Sequence, residues 1–231
     1  MKHLVIWHIS DTHGFHNLLD VPDNIDLVIH SGDGSNYRDI YKNQPEFDDF
    51  LHWFKQLPIR YKIYVGGNHD TALEKNLFDV KKQMEDFGII YLENSDVTLE
   101  GIKIWGSPHT PQFGEWAFMK ARQKLDKVWK YIPDDTDIIV AHGPPKGILD
   151  STFDFTNSIE RCGCNALKNR VLKVEPYLCL FGHIHNNKDI INAGTLKLSN
   201  YKTIFSNGSV VTDGKFGTLS SNGNILTIHK I

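Results

Sequence analysis

The residues best suited to chemistry form the run Gly67-Asn68-His69-Asp70, which follows a short apolar segment typical of a strand. Gly66 and Gly67 let the backbone turn sharply and let other atoms approach closely. An amide, an imidazole and a carboxylate then follow one another, and they offer metal ligands and a group that exchanges protons. We interpret Asn68 as a metal ligand, His69 as the side chain that meets the substrate, and Asp70 as the side chain that orients His69.

Four more polar clusters follow predicted strands. They are Asp11-x-His13, Gly32-Asp33, His142-Gly143 and Gly182-His183-x-His185. Ligand sites of α/β folds form at the carboxyl ends of strands, so we expect all five clusters to converge. Oxygen and imidazole donors suit Mn²⁺, Fe²⁺ or Zn²⁺ better than they suit Ca²⁺ or a thiolate site. Taken alone, Asp11 is also typical of a polar turn with a capping carboxylate, and Asp33 of an ordinary turn.

The predicted strands and helices alternate over the first two thirds of the chain, and strands dominate the rest. Strands are predicted at 4–9, 25–30, 62–65, 89–92, 97–99, 102–105, 138–141, 177–181, 189–192, 202–206 and 223–229. Helices are predicted at 44–56, 73–87, 115–130 and 165–174, with irregular segments at 107–111 and 146–163. Nearly continuous apolar strands indicate sheets that are covered on both faces. We therefore expect one domain over 1–231 with an α/β fold, a two-sheet β-sandwich flanked by helices.

The composition limits which kinds of molecule the protein is expected to bind. The 231 residues carry a formal net charge of −3 without a basic block, so an extended nucleic-acid-binding surface is not indicated. Small nucleotides and short single strands stay open, because a metal site can supply positive charge. No apolar run approaches the ~20 residues of a membrane span, and the first residues lack the apolar core of a signal peptide. We expect a cytoplasmic protein without a membrane partner.

The cysteines also fit a reducing compartment. Cys162, Cys164 and Cys179 are odd in number, which does not suggest a disulfide framework. Cys162 and Cys164 lack the second pair that a thiolate metal site needs, so we predict structural thiols. Lys, Asn and Ile are abundant and Arg is scarce, which is typical of AT-rich bacterial and viral genomes. A homodimer that uses 146–163 and the late hairpins is left open.

In chain order, the five clusters resemble the motifs of the calcineurin-like metallophosphoesterases over nearly the whole chain. Four runs are also similar to the metallophosphoesterase-domain-containing phosphodiesterase group: Trp105-Gly106-Ser107-Pro108, Phe113-Gly114-x-Trp116-Ala117-Phe118, His142-Gly143-Pro144-Pro145 and Phe181-Gly182-His183-Ile184-His185. The run Asn207-Gly208-Ser209-Val210 resembles the late Asn-Ala-Ser strand of that group. The resemblance implies the calcineurin-like metallophosphoesterase fold.

The resemblance also implies a role for each matching position. Asp11, His13, Asp33 and His185 would hold one divalent ion, and Asp33, Asn68, His142 and His183 would hold a second, with Asp33 bridging. Mn²⁺ would be the preferred ion, with Fe, Zn, Ni and Co as alternatives. A hydroxide that bridges the two ions would attack phosphorus on the side opposite the leaving oxygen. His69 would protonate the leaving group or stabilise its charge, and Asp70 would fix the orientation of His69.

Two departures from the protein phosphatases of this superfamily narrow the substrate. Those enzymes carry Gly-Asp-x-x-Asp-Arg-Gly, whereas this chain has Asn36 at the second aspartate, and they usually have Glu in place of Asp70. Both differences disfavour protein phosphatase activity. Asn36, His16 and His109 are candidates for substrate contact at the mouth of the site. For each of these three residues, surface polarity or a loop hydrogen bond is the alternative.

The sequence therefore predicts a dinuclear-metal-dependent phosphodiesterase that hydrolyses small nucleotides, cyclic ones among them, or cyclic oligonucleotides. One alternative is a nuclease with the same metal site, which would need a positive groove or a capping domain that the sequence does not clearly offer. Another is a phosphomonoesterase or protein phosphatase. A non-catalytic scaffold with this fold would have lost ligands, whereas all seven predicted ligands and His69 are present.

Overall fold

The computed structural model describes residues 2–75, 79–213 and 217–230. Its strands are β1 Lys2–Ile9, β2 Leu27–His30, β3 Tyr61–Tyr64, β4 Ile90–Tyr91, β5 Ser95–Leu99, β6 Ile102–Ser107, β7 Thr110–Pro111, β8 Met119–Lys120, β9 Ile138–Ala141, β10 Ser151–Phe153, β11 Ile159–Arg161, β12 Leu178–Phe181, β13 Gly194–Lys197, β14 Ile204–Asn207 and β15 Asn224–Lys230. Its helices are α1 Ile40–Gln56, α2 Thr71–Lys75, α3 Val80–Asp86, α4 Arg122–Trp129 and α5 Asn165–Val174, with a short 3-10 helix at His16–Leu18.

Two sheets form the body of the protein. One has the strand order β15-β1-β2-β3-β4 and the other β13-β14-β12-β9-β6-β5. Strands β1 to β4 are parallel, and so are β6, β9, β12 and β14, whereas the edge strands β15, β5 and β13 are antiparallel to their neighbours. Within each sheet, the parallel strands therefore end at a common edge, where loops from several strands meet.

The sheets pack face to face through the inward side chains of their central strands. Ile6 and Ile29 from one sheet and Ile104 and Val140 from the other belong to one buried cluster, and each is 0% exposed. Helix α1 covers the outer face of the first sheet, and helices α4 and α5 cover that of the second. This arrangement confirms the predicted two-sheet sandwich flanked by helices. Among the described residues, no helix combines the length and the apolar character that crossing a membrane requires.

Helix α1 begins earlier than its apolar pattern predicts. Asp39 caps the helix, because its carboxylate accepts a hydrogen bond from the Lys42 N–H at 3.2 Å. Pro45, which the sequence places near the start of a helix at 44–56, therefore lies inside it. The aromatic stripe of this helix is core, as predicted, since Phe50 and Phe54 are fully buried.

Several other predicted elements are wrong in extent. The helix predicted at 73–87 is two helices, α2 and α3, and residues 76–78 between them lie outside the described residues. The helix predicted at 115–130 begins only at Arg122, because Phe118 has a left-handed backbone (φ 55°) and the next two residues pair with β7 as β8. The segment predicted irregular at 146–163 contains the hairpin β10–β11, and β13 replaces the strand predicted at 189–192.

The three cysteines are free thiols, as predicted. Cys164 and Cys179 are buried in the cluster beneath α4 and α5, where the Trp129 indole N–H donates to Cys164 Sγ at 3.2 Å. Burial raises the pKa of Cys179 well above its usual range, which makes this thiol unreactive.

Candidate metal centre

Five strand ends deliver the predicted ligands to one place. The ligands follow β1 (Asp11, His13), β2 (Asp33), β3 (Asn68), β9 (His142) and β12 (His183, His185). In the described part of the chain, donor atoms from His and Asp side chains form three groups in which all lie within 4.8 Å of one another: Asp11, His13 and His185; His13, Asp33 and His69; and Asp33, His142 and His183. The predicted convergence at the carboxyl ends is therefore present, with Asp33 common to two of the groups.

The Asp33 carboxylate lies in the middle of this centre. Its Oδ2 is 3.3 Å from His142 Nε2 and 3.8 Å from His13 Nε2. Asn68 Oδ1 lies 2.9 Å from the same His142 nitrogen, which places the amide oxygen among the donors. Asp33 is 1% exposed and Asn68 3%, so both residues are almost completely shielded from bulk solvent.

On the opposite side of the metal centre, a closely approaching backbone segment fixes the Asp11 carboxylate. The His183 N–H donates to both Asp11 oxygens, at 3.1 and 2.9 Å, and Asp11 Oδ1 is 3.1 Å from His185 Nε2. A Cβ at Gly182 would overlap the Asp11 carboxylate, so only glycine fits there. Asp11, His13, Asp33 and His183 all have left-handed backbones, with φ of 54°, 42°, 60° and 68°. Such conformations are uncommon outside glycine and tend to occur at functional sites.

Hydrogen bonds to backbone carbonyls set the histidine tautomers. His142 Nδ1 lies 2.8 Å from the Ser31 carbonyl oxygen, and His13 Nδ1 lies 3.1 Å from that of Ser35. A carbonyl accepts only, so each Nδ1 must carry a proton, and Nε2 is the nitrogen that each ring can offer to a metal. His13 Nε2 is buried and has no hydrogen-bond partner among the described residues. An orphaned nitrogen beside a carboxylate fits a ligand atom for a divalent ion.

Asp213 is a member of this site that sequence reasoning missed. Its Oδ1 is 3.1 Å from His185 Nδ1, while the opposite nitrogen of that ring faces Asp11. A carboxylate behind a ligating imidazole fixes the ring and strengthens it as a ligand. No local signal marks Asp213, because it does not follow a named strand and meets His185 only through the packing of distant loops.

Charges in the centre perturb one another strongly. Burial alone would raise the pKa of Asp33, but His142 and His69 outweigh it and hold the pKa well below its usual range. Burial alone would lower the pKa of His142, and the neighbouring Asp33 instead raises it to about 9. Burial lowers the pKa of His183 to about 3. The protons on these side chains thus occupy positions where divalent ions could bind, and bound ions would displace them.

His69 stands at the rim of the centre, but the expectation that Asp70 orients it is wrong. The His69 Nδ1 bonds to the Asn36 carbonyl oxygen at 2.6 Å, and the ring packs 4.5 Å from the Trp116 ring. The turn points the two side chains in different directions, because His69 faces outward while Asp70 is 0% exposed. Asn36, one of the candidate substrate contacts, therefore also positions His69 through its backbone.

Asp70 instead holds the turn and the strand end beneath the centre. Its carboxylate accepts from the Gly67 N–H at 2.7 Å and the Asp33 N–H at 3.0 Å. The Tyr64 and Ser35 hydroxyls donate to it at 2.6 and 2.9 Å. Burial and the nearby Asp33 raise the pKa of Asp70 to about 6. Asp70 is thus a positioning residue for Asp33 and for the turn that carries Asn68 and His69.

The other two candidate substrate contacts lie outside the three donor groups. His16 is 1% exposed, and its Nε2 bonds to an Asp49 carboxylate oxygen at 3.0 Å. His109 is 7% exposed, and its Nδ1 bonds to the Phe118 carbonyl oxygen at 3.0 Å. The His109 contact is a loop hydrogen bond, which is one of the alternatives that the sequence leaves open, whereas the His16 contact joins the 3-10 helix to α1.

Known proteins share this sequence pattern and fold. The model of the calcineurin-like phosphoesterase family matches residues 4–187. The human metallophosphoesterase domain-containing protein 1 is 34% identical, with 88% of this chain and 65% of the relative covered. A UPF0046 protein of Caenorhabditis elegans is 30% identical, with 83% of this chain and 67% of the relative covered. The crystal structure of TT1561 of Thermus thermophilus has a TM-score of 0.59 at 14% identity, covers 89% of each chain, and shows likeness of fold alone.

Proposed function

The chain belongs to the calcineurin-like phosphoesterase family, whose members are metal-dependent phosphoric ester hydrolases, and we propose that it is a dinuclear phosphodiesterase for small nucleotides, including cyclic nucleotides and cyclic oligonucleotides. The chain spans about 65% of the length of the human relative, so the activity is argued from its own residues. The observation that carries the proposal is the donor set: buried carboxylates and imidazoles from five strand ends, with Asp33 shared between two donor groups.

Two ions fit these donors. Asp11, His13, Asp33 and His185 would hold one, and Asp33, Asn68, His142 and His183 would hold the other. Oxygen and imidazole ligands in this mixture favour Mn²⁺, with Fe, Zn, Ni and Co as alternatives. When bound, such ions supply positive charge to a phosphate group and make water more acidic.

His69 is the proton-transfer group of this proposal. Its Nδ1 is occupied by the Asn36 carbonyl, which leaves Nε2 to exchange a proton with the leaving oxygen. The ring centroid lies 4.6 Å from that of His13, so His69 stands beside the ion site, although the two proposed sets of four ligands do not include it. Loss of proton transfer should lower kcat while metal binding persists.

Aromatic side chains beside the centre favour a nucleotide substrate. The Trp116 ring lies 4.5 Å from His69, and the Phe113 ring lies 5.6 Å from His183. Phe113 is 62% exposed, so a base can stack on its face. A planar base over these rings would bring its phosphate to the metal centre.

The test is hydrolysis of a defined panel with added Mn²⁺: bis-p-nitrophenyl phosphate, p-nitrophenyl phosphate, and 2′,3′- and 3′,5′-cyclic nucleotides. Diester hydrolysis should fall to background in Asp33→Asn, and kcat should fall about 10²–10⁴-fold in His69→Asn with Mn²⁺ still bound. His52→Asn, at an exposed histidine on α1, is the matched control and should keep full activity.

Other outcomes assign other functions. A preference for p-nitrophenyl phosphate would make the protein a phosphomonoesterase. Cleavage of single-stranded DNA without activity on cyclic nucleotides would make it a nuclease. Failure of calorimetry to detect binding of Mn²⁺ or of Fe²⁺, Zn²⁺, Ni²⁺ and Co²⁺ would make it a scaffold and overturn the proposal.

A further inference from the structure

A cavity of about 460 Å³ opens directly beside the metal centre. His183 and His185 form part of its wall, so a substrate at the centre can extend into it. Its volume lies within the range of ligand pockets, roughly 300–1,000 Å³. Phe113 also lines the cavity, which therefore joins an aromatic face to the site of the phosphate.

Two arginines, Arg122 and Arg161, line the same cavity. Arg122 comes from the start of α4, and Arg161 from β11 of the hairpin that the sequence predicted as irregular. Neither belongs to the donor groups of the metal centre. Arginine can bind phosphate through two parallel N–H bonds, and neither of these two residues has a role in the metal centre.

Both guanidinium groups are held in place by the chain around them. Arg122 Nη1 donates to the Gly163 carbonyl at 3.1 Å, and its Nη2 donates to the Cys162 carbonyl at 3.0 Å. Arg161 Nη1 pairs with the carboxylate of Asp150 at 3.1 Å, and Asp150 is itself 0% exposed. These contacts use two of the five N–H donors of Arg122 and one of those of Arg161. A fixed guanidinium loses little freedom on binding, which favours affinity.

Of the charged residues described around the cavity, Arg122 is the main anchor for an anion. Asp150 offsets much of the charge of Arg161, whereas the partners of Arg122 are neutral carbonyls. Among the described residues, two acidic ones also line the cavity, and the carboxylate of one of them, Asp213, is engaged by His185. The other, Glu160, is exposed, so its carboxylate is well screened by solvent.

We infer that this cavity is a second anion subsite, in which Arg122 and Arg161 hold a non-scissile phosphate of a substrate with at least two phosphate groups. The inference rests on the proposed phosphodiesterase function and narrows it. The preferred substrates are then dinucleotides and oligonucleotides, linear or cyclic, over mononucleotides. One phosphate lies at the metal centre, a base stacks on Phe113, and the next phosphate reaches the arginines.

The test compares two probes that differ by one phosphate, the dinucleoside monophosphate ApA and its 5′-phosphorylated form pApA. Calorimetry in Mn²⁺ on the slow variant His69→Asn gives both dissociation constants. We expect pApA to bind about tenfold more tightly or better, as a charge-assisted contact would provide. Arg122→Gln combined with Arg161→Gln should remove this preference and leave the affinity for ApA unchanged.

Arg60→Gln is the matched control. Arg60 is an exposed arginine just before β3, it pairs with Glu100, and it does not line this cavity. Arg122→Lys keeps the charge and loses the paired N–H geometry, so part of the preference should return. Unchanged Mn²⁺ binding shows that each variant is folded.

The two proposals fail in different ways. Equal affinities for ApA and pApA, or a preference that survives the double Arg variant, would overturn the subsite while hydrolysis of bis-p-nitrophenyl phosphate still supports the phosphodiesterase. Conversely, an Arg-dependent preference for pApA in a protein that hydrolyses no diester would support the subsite and overturn the proposed function.

Discussion

Replacing Tyr64 by phenylalanine should destabilise the protein by removing one buried hydroxyl. This hydroxyl donates to Asp70 Oδ2 at 2.6 Å and accepts from the Gly34 N–H at 3.0 Å. Tyr64 is 0% exposed, so water cannot replace either partner. The aromatic ring itself would keep its packing against Phe50 and Phe47.

The magnitude follows from the two broken contacts. A buried N–H left without an acceptor costs about 1–3 kcal/mol, and a hydrogen bond to a charged group contributes about 1.5–3 kcal/mol. The free energy of unfolding should therefore fall by about 3–5 kcal/mol. For a chain of this size, each kcal/mol shifts Tm by about 2–4 °C, which predicts a fall of about 6–20 °C.

Urea unfolding followed by tryptophan fluorescence, with EDTA present, measures this change without a contribution from bound metal. Tyr91→Phe is the matched control, because its hydroxyl lies 3.1 Å from the Glu93 carboxylate at a partly exposed site. That variant should lose about 1 kcal/mol or less. A loss of only about 0.5 kcal/mol in Tyr64→Phe, the range of ordinary surface substitutions, would refute the assignment of Tyr64 as an essential donor to Asp70.

Two further predictions concern the metal centre. Asp213→Asn should weaken Mn²⁺ binding about 10–100-fold, because the anionic partner of His185 Nδ1 is lost, and calorimetry that gives an unchanged affinity would contradict that role. Adding Mn²⁺ at about 100 times its dissociation constant should stabilise the fold by about 2.7 kcal/mol for each ion bound, since the ions bind only the native state. EDTA should reverse this gain in a thermal unfolding scan, and a gain of the same size in Asp33→Asn would place the ion elsewhere.

Local pattern was enough to predict the strands that carry the ligands. Strand β9 was predicted with its observed bounds, and so was helix α5, because continuous apolar runs and a following proline are local signals. Parallel pairing then brings the ends of such strands to one edge. For that reason Asp33 and His142, far apart in the chain, could be predicted to lie together.

Where a segment lacks strong periodicity, the sequence predicted the wrong structure. In the hairpin that carries Arg161, the residues of β10 are partly exposed and those of β11 are exposed. Neither strand has a buried face, so the sequence shows no alternation of apolar and polar residues from which to predict them. Helix α4 starts late because Phe118 turns into a left-handed conformation and is itself buried in the core. The backbone N–H of Phe118 also donates to the Glu74 carboxylate at 2.7 Å, which is a contact between distant segments.

Residue types at strand ends are encoded locally, so the family, the sandwich of two sheets and the candidate donor residues could all be predicted from the chain. The partner that each side chain meets became evident in the folded structure alone. Asp70 turns inward to Tyr64 rather than to His69, and Asp213 reaches His185 across two loops. Such contacts form when packing brings segments that are far apart in the chain within hydrogen-bond distance. The spacing of residues along the chain does not predict which of these segments will meet.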